Sequence, residues 1–295
     1  MVIIHEGQVV LEFGDLKENS YIASCRKSVL AMLYGKYVEN GVIDLDKSLR
    51  ELKIEDHSPF LEIEQSATIK DLISARSGVF LPGSNGGDLR SLAPERGSVQ
   101  PGSYWLYSNW DFNLAGYVFE QETKRNIYDE IETQLVEPLG MQDWERSLQL
   151  KNGNLEVSKF PAYHMWLSTR DMARVGLLML RKGKWKEKQV VPKKWVEEII
   201  TQRTSYLEAQ KNAPILKEDG LDLGYGYMWW LIENTEDVRL KNAYSAQGAL
   251  GQNITVYPEI DVVLAFKTKS NYGRSNSIQT QMNVIRKAVE IYNPN

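Results

Sequence analysis

Strand patterns occupy both ends of this chain and helical patterns fill the stretch between them. That arrangement constrains the fold more than any other feature. Near the N-terminus, Val2-Ile3-Ile4 and Val9-Val10-Leu11 flank Glu6-Gly7, the pattern of a β-hairpin over Val2 to Phe13. At the other end, Tyr225 to Ile232, Arg239 to Tyr244, Gln252 to Tyr257 and Val262 to Lys267 read as successive strands. Pro258-Glu259-Ile260-Asp261 turns between the last two, and a closing helix is expected over Ser277 to Tyr292. Strands from the two termini share a sheet only if the chain between them loops out and returns. The reading is therefore an α/β (α+β) protein, with an antiparallel sheet built from both chain ends, flanked by helices, and an inserted all-α domain. The expected division places residues 1–50 and 215–295 with the sheet and 51–214 in a mainly helical unit.

Within the middle stretch, a helix is predicted from about Ser24 to Glu39, closed by Asn40-Gly41. Asn109 to Glu122 shows helical spacing, and Ser168-Thr169-Arg170-Asp171 is a capping-box pattern with Asp in place of Glu. The helix it opens stops near Lys182-Gly183-Lys184, and another is expected over Pro192 to Gln202. Leu81-Pro82-Gly83-Ser84-Asn85-Gly86-Gly87 is a loop.

Bulk properties exclude several function classes. The 295 residues can bury a large core, as one big domain or two intertwined lobes. Net charge is 35 minus 39, or −4, with no long basic run, so nucleic acid is not an expected partner. One cysteine, Cys25, rules out an internal disulfide and a cysteine-based metal cluster. His5, His57 and His164 lie far apart and no H-E-x-x-H occurs, so no zinc site is expected. No apolar run reaches membrane-spanning length, and the N-terminus has neither a basic start nor a long apolar core, so it does not read as a signal peptide. The chain as it stands reads as soluble: cytoplasmic, or periplasmic or secreted had a leader been removed.

Three short segments carry chemistry. Ser24-Cys25-Arg26-Lys27 is the only S-x-x-K, placed where a helix opens. Positions i and i+3 share a helix face, so the Ser24 hydroxyl and Lys27 amine point the same way. A serine hydroxyl needs a base, and a lysine in the first turn is biased towards its neutral form. The plainer reading is a helix start with a solvated lysine. Tyr107-Ser108-Asn109 is the only Y-x-N and stands at a loop-to-helix junction. A tyrosine near a lysine is expected to have its phenol pKa lowered and to shuttle protons, against the alternative of a buried hydroxyl beside a helix cap. Ser245-Ala246-Gln247-Gly248-Ala249-Leu250-Gly251-Gln252 places glycines in a strand pattern, a mark of close backbone or ligand approach, or else of a bulge or tight turn.

In that order, the three segments resemble those of the serine β-lactamase and penicillin-binding-protein superfamily. The nearest likeness is to its class C-like branch, with the family VIII esterases, D-amino-acid peptidases and 6-aminohexanoate oligomer hydrolases. Leu72-Ile73-Ser74-Ala75-Arg76-Ser77-Gly78, Leu167-Ser168-Thr169-Arg170-Asp171-Met172-Ala173 and Gly224-Tyr225-Gly226-Tyr227-Met228-Trp229-Trp230 add to the resemblance, which covers nearly the whole chain. It implies a cleft between a sheet domain and a helical domain. It also implies an acylated nucleophile at Ser24, its base or proton relay at Lys27, an acid/base partner at Tyr107 and a substrate-orienting group at Asn109. The amides of Ser24 and Ala249 would form an oxyanion hole. No metal or organic cofactor is required by such a cycle.

Two departures stand out. The family's lactamases carry K-T-G or H-T-G where this chain has Ala246-Gln247-Gly248. The lost cation pairs with a substrate carboxylate, and a cleft-bound carboxylate without a charged partner binds poorly. The expected substrate is therefore a small neutral ester or amide, with Gln247 able to offer an amide hydrogen bond. The alternatives are a β-lactamase or D-alanyl-D-alanine carboxypeptidase, or a catalytically silent binding protein of the same fold. Second, the chain as it stands begins directly on the first strand, without the helix that usually precedes it. This would leave apolar sheet surface uncovered unless a partner subunit or a longer closing helix fills in, or else the start is trimmed or misassigned. Trp105, Trp110, Tyr163, Trp166, Trp229 and Trp230 lie near the motifs as candidate pocket walls, although most tryptophans are core residues. His164 and Cys25 read as structural.

Overall fold

The computed structural model describes residues 1–268 and 277–290. Strand β1 (Val2–His5) pairs with β2 (Gln8–Glu12) across a turn in which Glu6 and Gly7 both take positive φ, at 51° and 77°. That is the backbone a two-residue hairpin demands. The C-terminal half supplies β3 (Asp222–Tyr225), β4 (Trp230–Glu233), β5 (Tyr244–Gly248), β6 (Gln252–Tyr257) and β7 (Val262–Lys267). All seven form one antiparallel sheet in the order β2-β1-β7-β6-β5-β4-β3, so the two chain ends meet at the β1–β7 pair.

Two of the predicted strands need correction. Tyr225 to Ile232 is not one strand but the hairpin β3–β4, broken at Gly226, where any Cβ would run into the Ile199 carbonyl, and at Met228, with φ of 57°. Arg239 to Tyr244 is largely a 3-10 turn over Val238–Leu240, because the Asp237 carboxylate accepts from Arg239 N–H; the strand begins only at Tyr244. The strands over Gln252–Tyr257 and Val262–Lys267 lie where they were expected.

Helix α1 (Cys25–Glu39) is buried on nearly every side, and α2 (Asn109–Thr123) is buried along most of its length. Helix α3 (Thr169–Leu180) lies on one face of the sheet, capped by Ser168, whose hydroxyl accepts from Asp171 N–H. Gly176 permits the contact, since a Cβ there would come within 2.5 Å of Val263 and 2.8 Å of Ile254. Helix α4 (Ile278–Ala288) covers the opposite face, where Tyr257 Oη donates to Ile285 O at 2.8 Å. The expected end of that helix at Tyr292 lies outside the described residues. The helix expected over Pro192 to Gln202 is Lys193–Ile199. The rest of the middle stretch is short helices with three two-stranded pairs, one of which joins Ser20–Tyr21 to Trp166–Leu167 just ahead of α1.

Exposed apolar side chains on the sheet include the outer strand β2 and the residue just past it, where Val9 is 52% and Phe13 74% exposed. Among the described residues, no helix is long and apolar enough to cross a membrane.

Candidate active site

The sheet, α1 and the middle segments converge at Ile22-Ala23-Ser24. Ile22 N–H donates to Met165 O at 3.0 Å, which fixes the entry to α1. Ala23 then turns with φ of 48°, in a region that alanine seldom adopts. Ser24 occupies the N-cap position, yet its hydroxyl caps nothing. A serine there normally accepts from the first-turn amides. The Ser24 Oγ lies instead 3.2 Å from Lys27 Nζ, as the i, i+3 spacing requires.

Lys27 is 1% exposed. Its Nζ donates to Tyr107 Oη and to Asn109 Oδ1, each at 2.7 Å. Burial holds the amine well below the usual lysine range; the neighbouring Arg26 charge pushes the same way, and the Asp88 carboxylate opposes it.

Tyr107 is placed by a braced loop. Leu106 N–H donates to Ala75 O at 2.9 Å and Leu89 N–H to Tyr107 O at 3.0 Å. The Ser108 hydroxyl caps α2, and Asp111 in its first turn is buried against Ser77 Oγ at 2.8 Å. The Trp230 ring stacks on Tyr107 with 5.5 Å between centroids. The expectation that the lysine lowers the Tyr107 pKa is overturned. Burial pushes the phenol up, and its hydrogen bond to Ser24 and the Arg26 charge only partly offset that. Tyr107 is a neutral phenol at neutral pH.

Asn109 sits beside Lys27 with both ends of its amide engaged. Oδ1 accepts from Lys27, and Nδ2 donates to Gly86 O at 2.8 Å. Its N–H donates to Asp88 Oδ2 at 2.8 Å. Gly86 belongs to the stretch Leu81 to Gly87, which the sequence marked only as a loop, and Asp88 follows it; nothing there pointed to the lysine.

Gly248 ends β5 against the turn before Ser24. A Cβ at Gly248 would lie 2.6 Å from Ile22 O and 3.1 Å from Ala23 Cβ, so the glycine marks close backbone approach. Ala249 follows it, exposed, in the turn to β6. Among the described residues, neither Ser24 N–H nor Ala249 N–H donates a hydrogen bond. Gln247 is 9% exposed and its Nε2 has no partner. Ala246 is fully buried, and Cys25 Sγ lies 3.5 Å from its carbonyl, so Cys25 is packing.

The aromatic candidates divide. Trp105, Trp110 and Trp229 are fully buried core, with Trp110 Nε1 on Asp56 and Trp229 Nε1 on Ser28 O. Tyr163 is buried against Arg26, and Trp166 is half-buried beside Tyr21. His164 Nδ1 lies 2.8 Å from Tyr21 Oη, and burial lowers its pKa to about 4.

A seven-stranded antiparallel sheet thus joins both termini, with the Ser24, Lys27 and Tyr107 cluster where the start of α1 meets the end of β5. The chain belongs to the Beta-lactamase family, whose model matches residues 1–285. Solved structures share the fold. A protein assigned as a 6-aminohexanoate-dimer hydrolase from Bacillus anthracis is 21% identical, with TM-score 0.71, over 98% of this chain and 78% of that one. A beta-lactamase from Mycobacterium bovis is 17% identical, with TM-score 0.68, over 99% and 94%. An octameric penicillin-binding protein homologue from Pyrococcus abyssi is 19% identical, with TM-score 0.67, over 97% and 72%.

Proposed function

We propose that this protein is a serine acyl hydrolase that forms a covalent acyl-Ser24 intermediate on a small neutral ester or amide. One observation carries the reading. A neutral amine has two N–H donors and one lone pair. Around Lys27 stand two acceptors at 2.7 Å, Tyr107 Oη and Asn109 Oδ1, and one hydroxyl at 3.2 Å, Ser24 Oγ. The two acceptors take the N–H groups and leave the lone pair for the Ser24 proton.

The cycle follows. Lys27 takes the proton as Ser24 Oγ bonds to the substrate carbonyl carbon, and the oxyanion rests on the free amides of Ser24 and Ala249. Collapse breaks the bond to the leaving group, which receives the proton from Lys27 through the Tyr107 hydroxyl. Water then attacks the acyl-enzyme and gives its proton to Lys27, which returns it to Ser24 Oγ as the acid departs. Tyr107 serves as a relay and donor rather than a phenolate base.

Substrate neutrality rests on Ala246-Gln247-Gly248. The position of the usual cation is a buried alanine, and the nearby unpaired donor is the neutral Gln247 amide. A linear secondary amide without a carboxylate beside the scissile bond is one candidate of this kind. Turnover of nitrocefin at a rate approaching that of esters would favour the β-lactamase alternative.

A fluorophosphonate probe is expected to label wild-type protein at Ser24, with the adduct located by peptide mass spectrometry. Ser24→Ala is expected to remain unlabelled, and equal labelling of the two would sink the assignment. Tyr107→Phe should discriminate between leaving groups. Amide hydrolysis should fall by about a hundredfold or more, while p-nitrophenyl esters, whose leaving group needs no proton, lose about tenfold or less. Equal losses on both would remove Tyr107 from the proton path.

A further inference from the structure

Arg26 stands between Cys25 and Lys27 in the first turn of α1 and is 1% exposed. Its Nη2 donates to Asn113 Oδ1 at 3.3 Å, and its guanidinium carbon lies 4.5 Å from the centre of the Tyr163 ring. Nε and Nη1 have no hydrogen bond of normal geometry among the described residues. Among the described residues, no carboxylate forms an ion pair with it. A guanidinium does not give up its proton in a protein, so a full positive charge is buried there without a counter-charge.

The position is unfavourable twice over. The first turn of a helix already concentrates positive charge on its free amides. A buried charge without a partner loses its hydration and recovers little. Among the described residues, no carboxylate from the surrounding elements pairs with Arg26. Asn113 on α2 is neutral. Burial pushes the Tyr163 phenol up to about 12, and His164 on the same short strand is lowered to about 4, so both are uncharged at neutral pH. Tyr128, on the short helix Ile127–Ile131, also stays protonated. A core optimised for stability alone would hold an apolar side chain here, and such uncompensated groups collect at functional sites.

The groups acting on Lys27 can be counted the same way. Cys25 on its own helix and Tyr107 ahead of α2 both remain protonated, the thiol raised by burial. Two formal charges are left: Asp88, from the loop that holds Asn109, and Arg26. Their signs are opposed.

We propose that Arg26 is a positioning residue for the catalytic base, its buried and unpaired charge keeping Lys27 as a free amine at some expense to fold stability. This rests on the reading of Ser24 as an acylated nucleophile. The charge acts through a poorly screened interior, where an adjacent like charge disfavours the ammonium form. Removing it raises the pH at which Lys27 loses its proton, so the base becomes available only at higher pH.

The test is the rate of Ser24 labelling by a fluorophosphonate as a function of pH, in wild type, Arg26→Met and Arg26→Gln. The acid limb should move up by about one pH unit in both variants, while the rate at high pH stays within about threefold of wild type. The melting temperature of Arg26→Met should hold or rise, whereas a residue with a merely structural role would lower it and leave the limb in place. An unmoved limb in whichever variant folds overturns the proposal alone. Absence of Ser24 labelling in wild type refutes the catalytic reading, and the proposal falls with it.

Discussion

Lys27→Met slows acylation of Ser24 by about a thousandfold and leaves the protein folded, with a melting temperature equal to or above that of wild type. The substitution keeps an unbranched stem of similar length in a fully buried slot and deletes the group proposed to take the Ser24 proton. Its energetic signature should be unusual for a core change. Burying an amine opposes folding, so its loss relieves the fold while disabling the reaction. Tyr107 Oη loses only a donor to its lone pair, and Asn109 keeps its anchor on Gly86 O. Stopped-time labelling with a fluorophosphonate, alongside thermal unfolding, measures both effects. A loss below about tenfold would mean that another group takes the proton, and the Lys27 assignment would have to be abandoned.

How much of this site could be read in the residues depended on the range of the interaction. The Ser24–Lys27 pairing is local, three residues on one helix face, and periodicity alone placed it. The strands over Gln252–Tyr257 and Val262–Lys267 were equally legible, since each turn residue between them falls where the backbone needs it, with Asp261 at φ of 50°. The break inside Tyr225 to Ile232 was hidden, because its cause is the Ile199 carbonyl pressed against Gly226 from another segment. The Tyr107 phenol went wrong for a related reason. Proximity to a lysine argues for a lowered pKa, but the degree of burial is a tertiary property and it decided the sign. Asn109 appeared as a group for substrate; only the fold shows Gly86 O and Lys27 occupying both ends of its amide. Arg26 lay in plain view inside the motif, and what the residues could not tell was that no acid among the described residues pairs with it.

The second large effect tests the least local contact in the site. Gly248→Ala is expected to lower the acylation rate by about a hundredfold and to reduce stability by about 1–3 kcal/mol. The new methyl would meet Ile22 O at 2.6 Å and Ala23 Cβ at 3.1 Å. Neither neighbour can swing away as a flexible side chain could. Ile22 is tied to Met165 O through its own N–H, and Ala23 already holds a left-handed turn. The strain must then separate the end of β5 from the start of α1, and the distance between the Ser24 and Ala249 amides grows with it. If the two amides form the proposed oxyanion hole, moving them an ångström from their working geometry removes most of their effect. The loss should fall on acylation of every substrate alike, regardless of leaving group, in contrast to Tyr107→Phe. Labelling rates for Gly248→Ala at a temperature well below its unfolding midpoint separate the site effect from simple instability. A wild-type rate in the folded variant would show that β5 does not need to lie this close to Ser24 for the reaction.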